Sequence, residues 1–250
     1  MANLNLRLPS TNDKNAEAQM GIMEHLVELR NRVMIVFIAV AIGVVVSLFF
    51  TGDIMKFLQM PYGRPFNVLG PTGGVVAYFR VALTCGAILA IPIITYQALM
   101  FVLPALEPKE KRMVWLSLPP ITFLFVCGVA FAWFILIPPA LGFLEGFQPT
   151  LFRPDWTADL YLSFVTALIF WMGVAFETPL IFFVLGLLGV VEAPALIKNW
   201  RIAIVGSAIA AALITPTVDP VNMAIVIVPL LVLYCLSIVL VMIAKRLRGA

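Results

Sequence analysis

Charge is what this sequence has least of: 12% of its 250 residues are charged and 62% are hydrophobic. A soluble domain carries roughly 25% charged residues. Half that share leaves too little polar surface to face water, so lipid must solvate much of the chain. Histidine is scarcer still, with His25 the single example. It stands ahead of the first apolar run, which excludes an HExxH zinc site and a Ser/His dyad inside the membrane. A Gly-rich phosphate loop and a GxSxG elbow are also missing. The chain therefore reads as a non-enzyme without a cofactor. Cys85, Cys127 and Cys235 lie inside apolar runs, with no CxxC and no Cys/His pairing. That excludes a disulfide framework or zinc site and leaves small buried residues. No internal repeat is visible, which removes support for an inverted-repeat transporter. The first twenty residues are polar and lack the pattern of a cleaved signal peptide, so the first apolar run is expected to be a retained signal anchor.

What is present is a series of apolar stretches, at about 33–50, 75–102, 113–144, 160–191, 202–214 and 221–244. Runs of this kind in lipid must be helices, which satisfy their own backbone hydrogen bonds. The run Phe131–Ile137 shows no alternation of the sort a β-barrel needs. The reading is an all-α membrane protein with six transmembrane helices. Residues 1–22 form a disordered cytoplasmic tail in this reading, and residues 23–248 a single membrane domain. Basic residues orient it. Arg7, Lys14, Arg30 and Arg32, then Lys109, Lys111 and Arg112, then Lys198 and Arg201, then Lys245, Arg246 and Arg248 fall on alternate segments. Only Lys56, Arg64, Arg80 and Arg153 fall on the others. Both termini are thus expected on the cytoplasmic side of a bacterial inner membrane. The first outer loop, 51–74, is long and rich in Gly and Pro. The fifth run covers about 20 Å at about 1.5 Å per residue, against a hydrocarbon core of about 30 Å. It is expected to form a hairpin with helix six that locally thins the membrane. Pro92, Pro119, Pro120, Pro138, Pro139, Pro179 and Pro229 predict a curved, non-parallel bundle.

Few polar side chains could carry chemistry. Glu28 precedes helix one and has Arg32 at i+4, a spacing that suits an ordinary surface ion pair. The functional alternative is a carboxylate held at the cytoplasmic surface for a cationic ligand. Glu110 lies in the first inner loop and is either a solvated loop charge or a second such carboxylate. Glu177 falls near the middle of helix four, where a charge costs at least roughly 2.5–3.5 kcal/mol. It calls for protonation, a polar partner or water, and intramembrane carboxylates commonly serve function. Arg80, near the outer interface, is read as a snorkelling side chain.

Four motifs in order give these residues a setting. They are His25-Leu-Val-Glu-Leu-Arg-Asn-Arg32, Phe101-Val-Leu-Pro-Ala-Leu followed by Glu110-Lys-Arg112, Phe176-Glu-Thr-Pro179, and Ile214-Thr-Pro with Asp219. Over about 23–248 the chain resembles the TatC family of the twin-arginine protein translocase. The resemblance implies a cup-shaped six-helix receptor at the core of the translocase. Such a protein reads the twin-arginine signal peptide of folded cargo at the cytoplasmic face. It self-associates, works with single-span TatA- and TatB-type partners, and uses the proton-motive force, with no role for nucleic acid. Glu28 and Glu110 match the family's signal-binding carboxylates, and Arg30 matches a residue that shapes the site. Carboxylates suit this task, because a guanidinium wants a planar, bidentate acceptor. Glu177 matches the family's intramembrane glutamate. Thr215 and Asp219, extended by Asn222, match the outer turn where a partner helix docks. Glu107-Pro108 and Cys235 depart from the family pattern, which more often has tyrosine and glutamate there. The rival readings are a proton-coupled transporter or channel centred on Glu177, and a purely structural assembly factor.

Overall fold

The long apolar runs become long helices, since every backbone group in lipid needs a partner within its own segment. The computed structural model describes residues 11–102, 108–151, 155–215 and 219–248, without the side chains of 11–22, 102, 108–114 and 248. Helix α1 runs Thr11–Gln59, α2 Gly73–Val102, α3 Pro108–Phe131, α4 Ile137–Gly146, α5 Ala158–Leu187, α6 Ala193–Lys198, α7 Trp200–Ile214 and α8 Pro220–Arg248. No strand occurs among the described residues; Asn67 and Thr157 form one isolated bridge.

Five helices are long and apolar enough to cross a membrane, and Trp200–Ile214 is a shorter apolar helix. At 15 residues it reaches about 22 Å, still short of about 30 Å of hydrocarbon. Helices α3 and α4 form one span through a π-helical turn at Ala132–Leu136. That turn sits just ahead of Pro138 and Pro139, which have no N–H to give to the preceding turn. Pro92, Pro119, Pro120, Pro179 and Pro229 all lie inside helices.

The helices are arranged largely in a row. Helix α1 packs on α2, α2 on α5, α5 on α8 and α8 on α7, while α3 lies against α5. Helix α5 is the hub and contributes a large share of the buried core, including Leu162, Val165, Leu168 and Met172. An outer helix such as α1 keeps large apolar side chains exposed, Phe37 and Phe49 among them. Lipid is the natural neighbour for such a surface.

Two neighbouring pairs meet through glycine. A Cβ on Gly43 would lie 2.4 Å from the Gly86 carbonyl oxygen, and one on Gly86 would lie 2.5 Å from the Val44 backbone nitrogen. On α3, a Cβ at Gly128 would come 2.7 Å from the Met172 carbonyl oxygen of α5. With no hydrophobic drive between helices in lipid, such backbone contact supplies the packing energy. Gly189 ends α5 with φ 73°. The Val190 N–H returns to Leu185 O and the Gly189 N–H to Gly186 O, a Schellman closure.

Three expectations change. The cysteines are not buried: Cys235 is exposed and Cys85 and Cys127 are half-buried, on helix faces turned to lipid or to neighbours. Helix α1 does not stop at Phe50: Thr51 bonds its hydroxyl back to Ser47 O, and Asp53 pairs with Lys56 one turn on. These local contacts carry the helix to Gln59, so the connection to α2 is shorter than composition implied. Arg80 does not simply snorkel. Its Nη2 lies 3.0 Å from Asp159 Oδ1 and its Nη1 donates to Ser163 Oγ, tying α2 to the start of α5. As for the expected tail over 1–22, residues 1–10 lie outside the described residues and α1 is assigned from Thr11.

Candidate functional site

Where α1 enters the bundle, Glu28 and Arg32 share a face one turn apart. Glu28 Oε1 accepts from Arg32 Nε at 2.9 Å and also from Arg32 Nη2. The third nitrogen, Nη1, donates to Gln97 Oε1 of α2 at 3.0 Å, so the fork bridges two helices. Glu28 Oε2 points elsewhere, 3.8 Å from His25 Nδ1. The His25 ring stacks on Phe101 of α2 at 4.5 Å and 14°. The Glu28 side chain is 33% exposed and that of Arg32 19%. The outcome is a half-buried carboxylate with one oxygen occupied by a guanidinium and the other beside the His25 ring.

Arg30 points away, into an exposed position where it reaches Asn31 Oδ1 at 3.4 Å. The α3 backbone includes Glu110, but its side chain lies outside the described residues, as does Glu107.

Glu177 sits on α5 one turn after Gly173. It is 4% exposed and accepts from Thr95 Oγ1 of α2 at 2.8 Å. Its other oxygen, Oε1, is buried without a hydrogen-bond partner among the described residues. The polar neighbour that the cost of a midplane carboxylate demands is thus Thr95, within the chain.

At the opposite end, the turn before α8 gathers Thr215, Asp219 and Asn222. Asp219 caps α8: Oδ1 accepts the Asn222 N–H at 2.7 Å and Oδ2 accepts Asn222 Nδ2 at 3.0 Å. Pro220 at the first helical position fits that cap. Thr215 is buried and bonds back to Ala211 O at 2.8 Å; Asn222 is buried as well. Only Asp219 of the three is partly open.

Sequence reasoning missed a second structure at that end. Tyr62, Phe66, Trp156 and Tyr161 form an aromatic cluster with ring centroids 5.1–6.0 Å apart. Tyr161 donates to Leu58 O at 2.9 Å, and the Trp156 N–H donates to Tyr62 Oη at 3.2 Å. Arg64 lies over the Tyr62 ring at 4.8 Å and 3.8 Å from Glu145. The loops before α2 and before α5 are therefore joined. Their density of Tyr and Trp beside apolar runs was the available signal, because these residues favour membrane interfaces and need polar partners when buried. Among the described residues no group of three His, Cys, Asp or Glu could hold a metal ion.

Comparison with known proteins adds independent evidence. A family profile described as "Sec-independent protein translocase protein (TatC)" matches residues 24–229. The chloroplastic TATC protein of Arabidopsis thaliana is 36% identical over 225 residues, which cover 87% of this chain and 65% of that protein. The TatC protein of a Synechocystis species is 35% identical over 219 residues, covering 87% of this chain and 86% of the relative. A crystal structure of the twin-arginine translocase receptor TatC superposes with a TM-score of 0.79 at 35% identity, covering 89% of this chain and all of that one.

Proposed function

This chain belongs to the TatC family of multi-pass translocase proteins, and from that premise we propose that it is a receptor whose Glu28 carboxylate grips the twin-arginine signal of exported proteins. As a translocase component it is not an enzyme. The observation that carries the reading is local: Glu28 already binds a guanidinium, that of Arg32, through one oxygen, while its side chain stays one-third exposed. Glu110 is the second carboxylate of the proposal, and Arg30 is the residue that keeps the site's shape. Two separated acids facing two arginines discriminate steeply, because a lost arginine leaves an acceptor desolvated and unpaired.

The rest of the molecule fits this arrangement. The membrane domain spans 23–248, with α7 counted as a sixth, short crossing beside α8. Both termini and the Glu28 end face the cytoplasm, as the placement of Lys and Arg favours. In a bacterium the host membrane is the inner one. The partners are TatA- and TatB-type single-span proteins and further copies of the chain, with the proton-motive force as the energy source. Asp219 is the accessible part of the outer docking turn, supported by the buried Thr215 and Asn222. Glu177 stands as the intramembrane polar site.

Site-directed photocrosslinking tests the assignment. A signal peptide with a photoreactive residue beside its arginine pair should label the chain near Glu28 and the first α3 turn. Labelling confined to the aromatic loops at the opposite end contradicts the proposal.

A further inference from the structure

Glu28 is occupied from within the chain. Arg32 places two N–H groups on Oε1, and its third nitrogen is anchored on Gln97 of the neighbouring helix. A guanidinium held at two points is preorganised, so it stays on the carboxylate without an added ordering cost at each encounter. An arriving arginine cannot take both Glu28 oxygens in the bidentate fork until Arg32 lets go of Oε1. The remaining oxygen, Oε2, lies beside the His25 ring, itself stacked flat on Phe101. It can accept a single N–H but does not offer the planar pair of acceptors that a guanidinium matches.

We propose that Arg32 is a built-in competitor: its guanidinium is a surrogate ligand that holds Glu28 closed, and the signal peptide must displace it. This deepens the receptor reading given above and rests on it. The consequence is a threshold. Displacement lowers by the same factor the affinity of every cationic ligand that needs Oε1, so a weak ligand such as a twin-lysine peptide falls below useful binding while a bidentate twin-arginine peptide stays above it. A lysine ammonium is a point charge without the fork, so it begins with less affinity to lose. Arg32 therefore sets the affinity threshold through Glu28 without touching the peptide.

The test uses the full chain in lipid nanodiscs, titrated with fluorescent twin-arginine and twin-lysine peptides. Arg32→Gln should tighten both peptides, by up to about fivefold, the upper range for a partly exposed ion pair. The ratio between the two should hold, and twin-lysine binding should rise into the measurable range. Arg32→Lys keeps the positive charge and loses the fork, so it should tighten both by a smaller factor. It also decides the matter if Arg32→Gln does not insert. Unchanged or weakened binding in these variants, as expected of a residue that merely positions Glu28, overturns the competitor role. Tightening in Arg32→Gln without any in Arg32→Lys points to bulk charge alone and overturns it too. Glu28→Gln separates the two layers. Loss of binding in Glu28→Gln with weakened binding in Arg32→Gln sinks the competitor and spares the receptor reading. Wild-type binding by Glu28→Gln sinks both.

Discussion

A carboxylate in a lipid-facing protein must find a partner or lose its charge, and Glu28, Asp159, Glu177 and Asp219 meet that demand in different ways. Glu28 and Asp159 each take an arginine, from the same helix and from a neighbouring helix respectively. Asp219 takes backbone and side-chain N–H groups at the start of α8. Among the described residues Glu177 has the Thr95 hydroxyl alone. Its isostere should therefore be tolerated: Glu177→Gln keeps an acceptor for Thr95, whereas Glu177→Ala loses the bond and leaves a void, at about 2–3 kcal/mol. Thermal unfolding in detergent micelles should rank wild type and Glu177→Gln together, above Glu177→Ala. Asp219 has two roles that can be separated. Asp219→Ala should cost about 1 kcal/mol through the lost cap, and Asp219→Asn only a few tenths, since Asn caps equally well. If Asp219→Asn nonetheless loses capture of a single-span partner, the charge serves docking and not the cap. Most of these residues were legible in the sequence, because acids are so rare here that each stands out. Their partners were less so. Arg32 followed from i+4 spacing, but Gln97, Thr95 and Asp159 lie 65, 82 and 79 residues from the groups they serve, so only the packing of α2 on α1 and α5 could supply them.

Helices were easier to read than their ends. Apolar length fixed where the spans had to be, while α1 outran its apolar run because Thr51, Asp53 and Lys56 make helical contacts of their own. The short helix α6, tied to α8 by Tyr234 donating to Leu196 O at 2.6 Å, is only six residues long and gave no run long enough to read. The glycines that set inter-helix distances were equally silent, because sequence does not say what lies across from them. Their role is testable. Gly86→Val would drive a Cβ into the Val44 backbone, 2.5 Å away, with no flexible side chain to give way. It should loosen α1 from α2 by about 1–3 kcal/mol and expose α1 to protease in detergent. Gly52 is the matched control: it lies in the same α1 with nothing within 4 Å of its would-be Cβ, so Gly52→Ala should be neutral or stabilising by up to about 1 kcal/mol. Equal behaviour of the two substitutions would show that α1 and α2 do not meet as described.

On the scale of the whole molecule, the two ends do different work. The far end is tied: the aromatic cluster, the Arg64–Glu145 contact and the Arg80–Asp159 pair fasten the loops before α2 and α5 and the ends of α1, α2, α4 and α5 together. At the near end, among the described residues, His25 and Arg30 are exposed and Glu28 is half-buried under Arg32. The row of helices also leaves broad apolar faces without a partner inside the chain, which suits assembly with other membrane helices. The measurement closest to the central claim is equilibrium binding of a fluorescent twin-arginine peptide to the full chain in nanodiscs, wild type against the Glu28→Gln/Glu110→Ala double variant. Specific binding should be lost in the double variant while its thermal unfolding stays that of the wild type. Undiminished affinity in a folded double variant would contradict the claim.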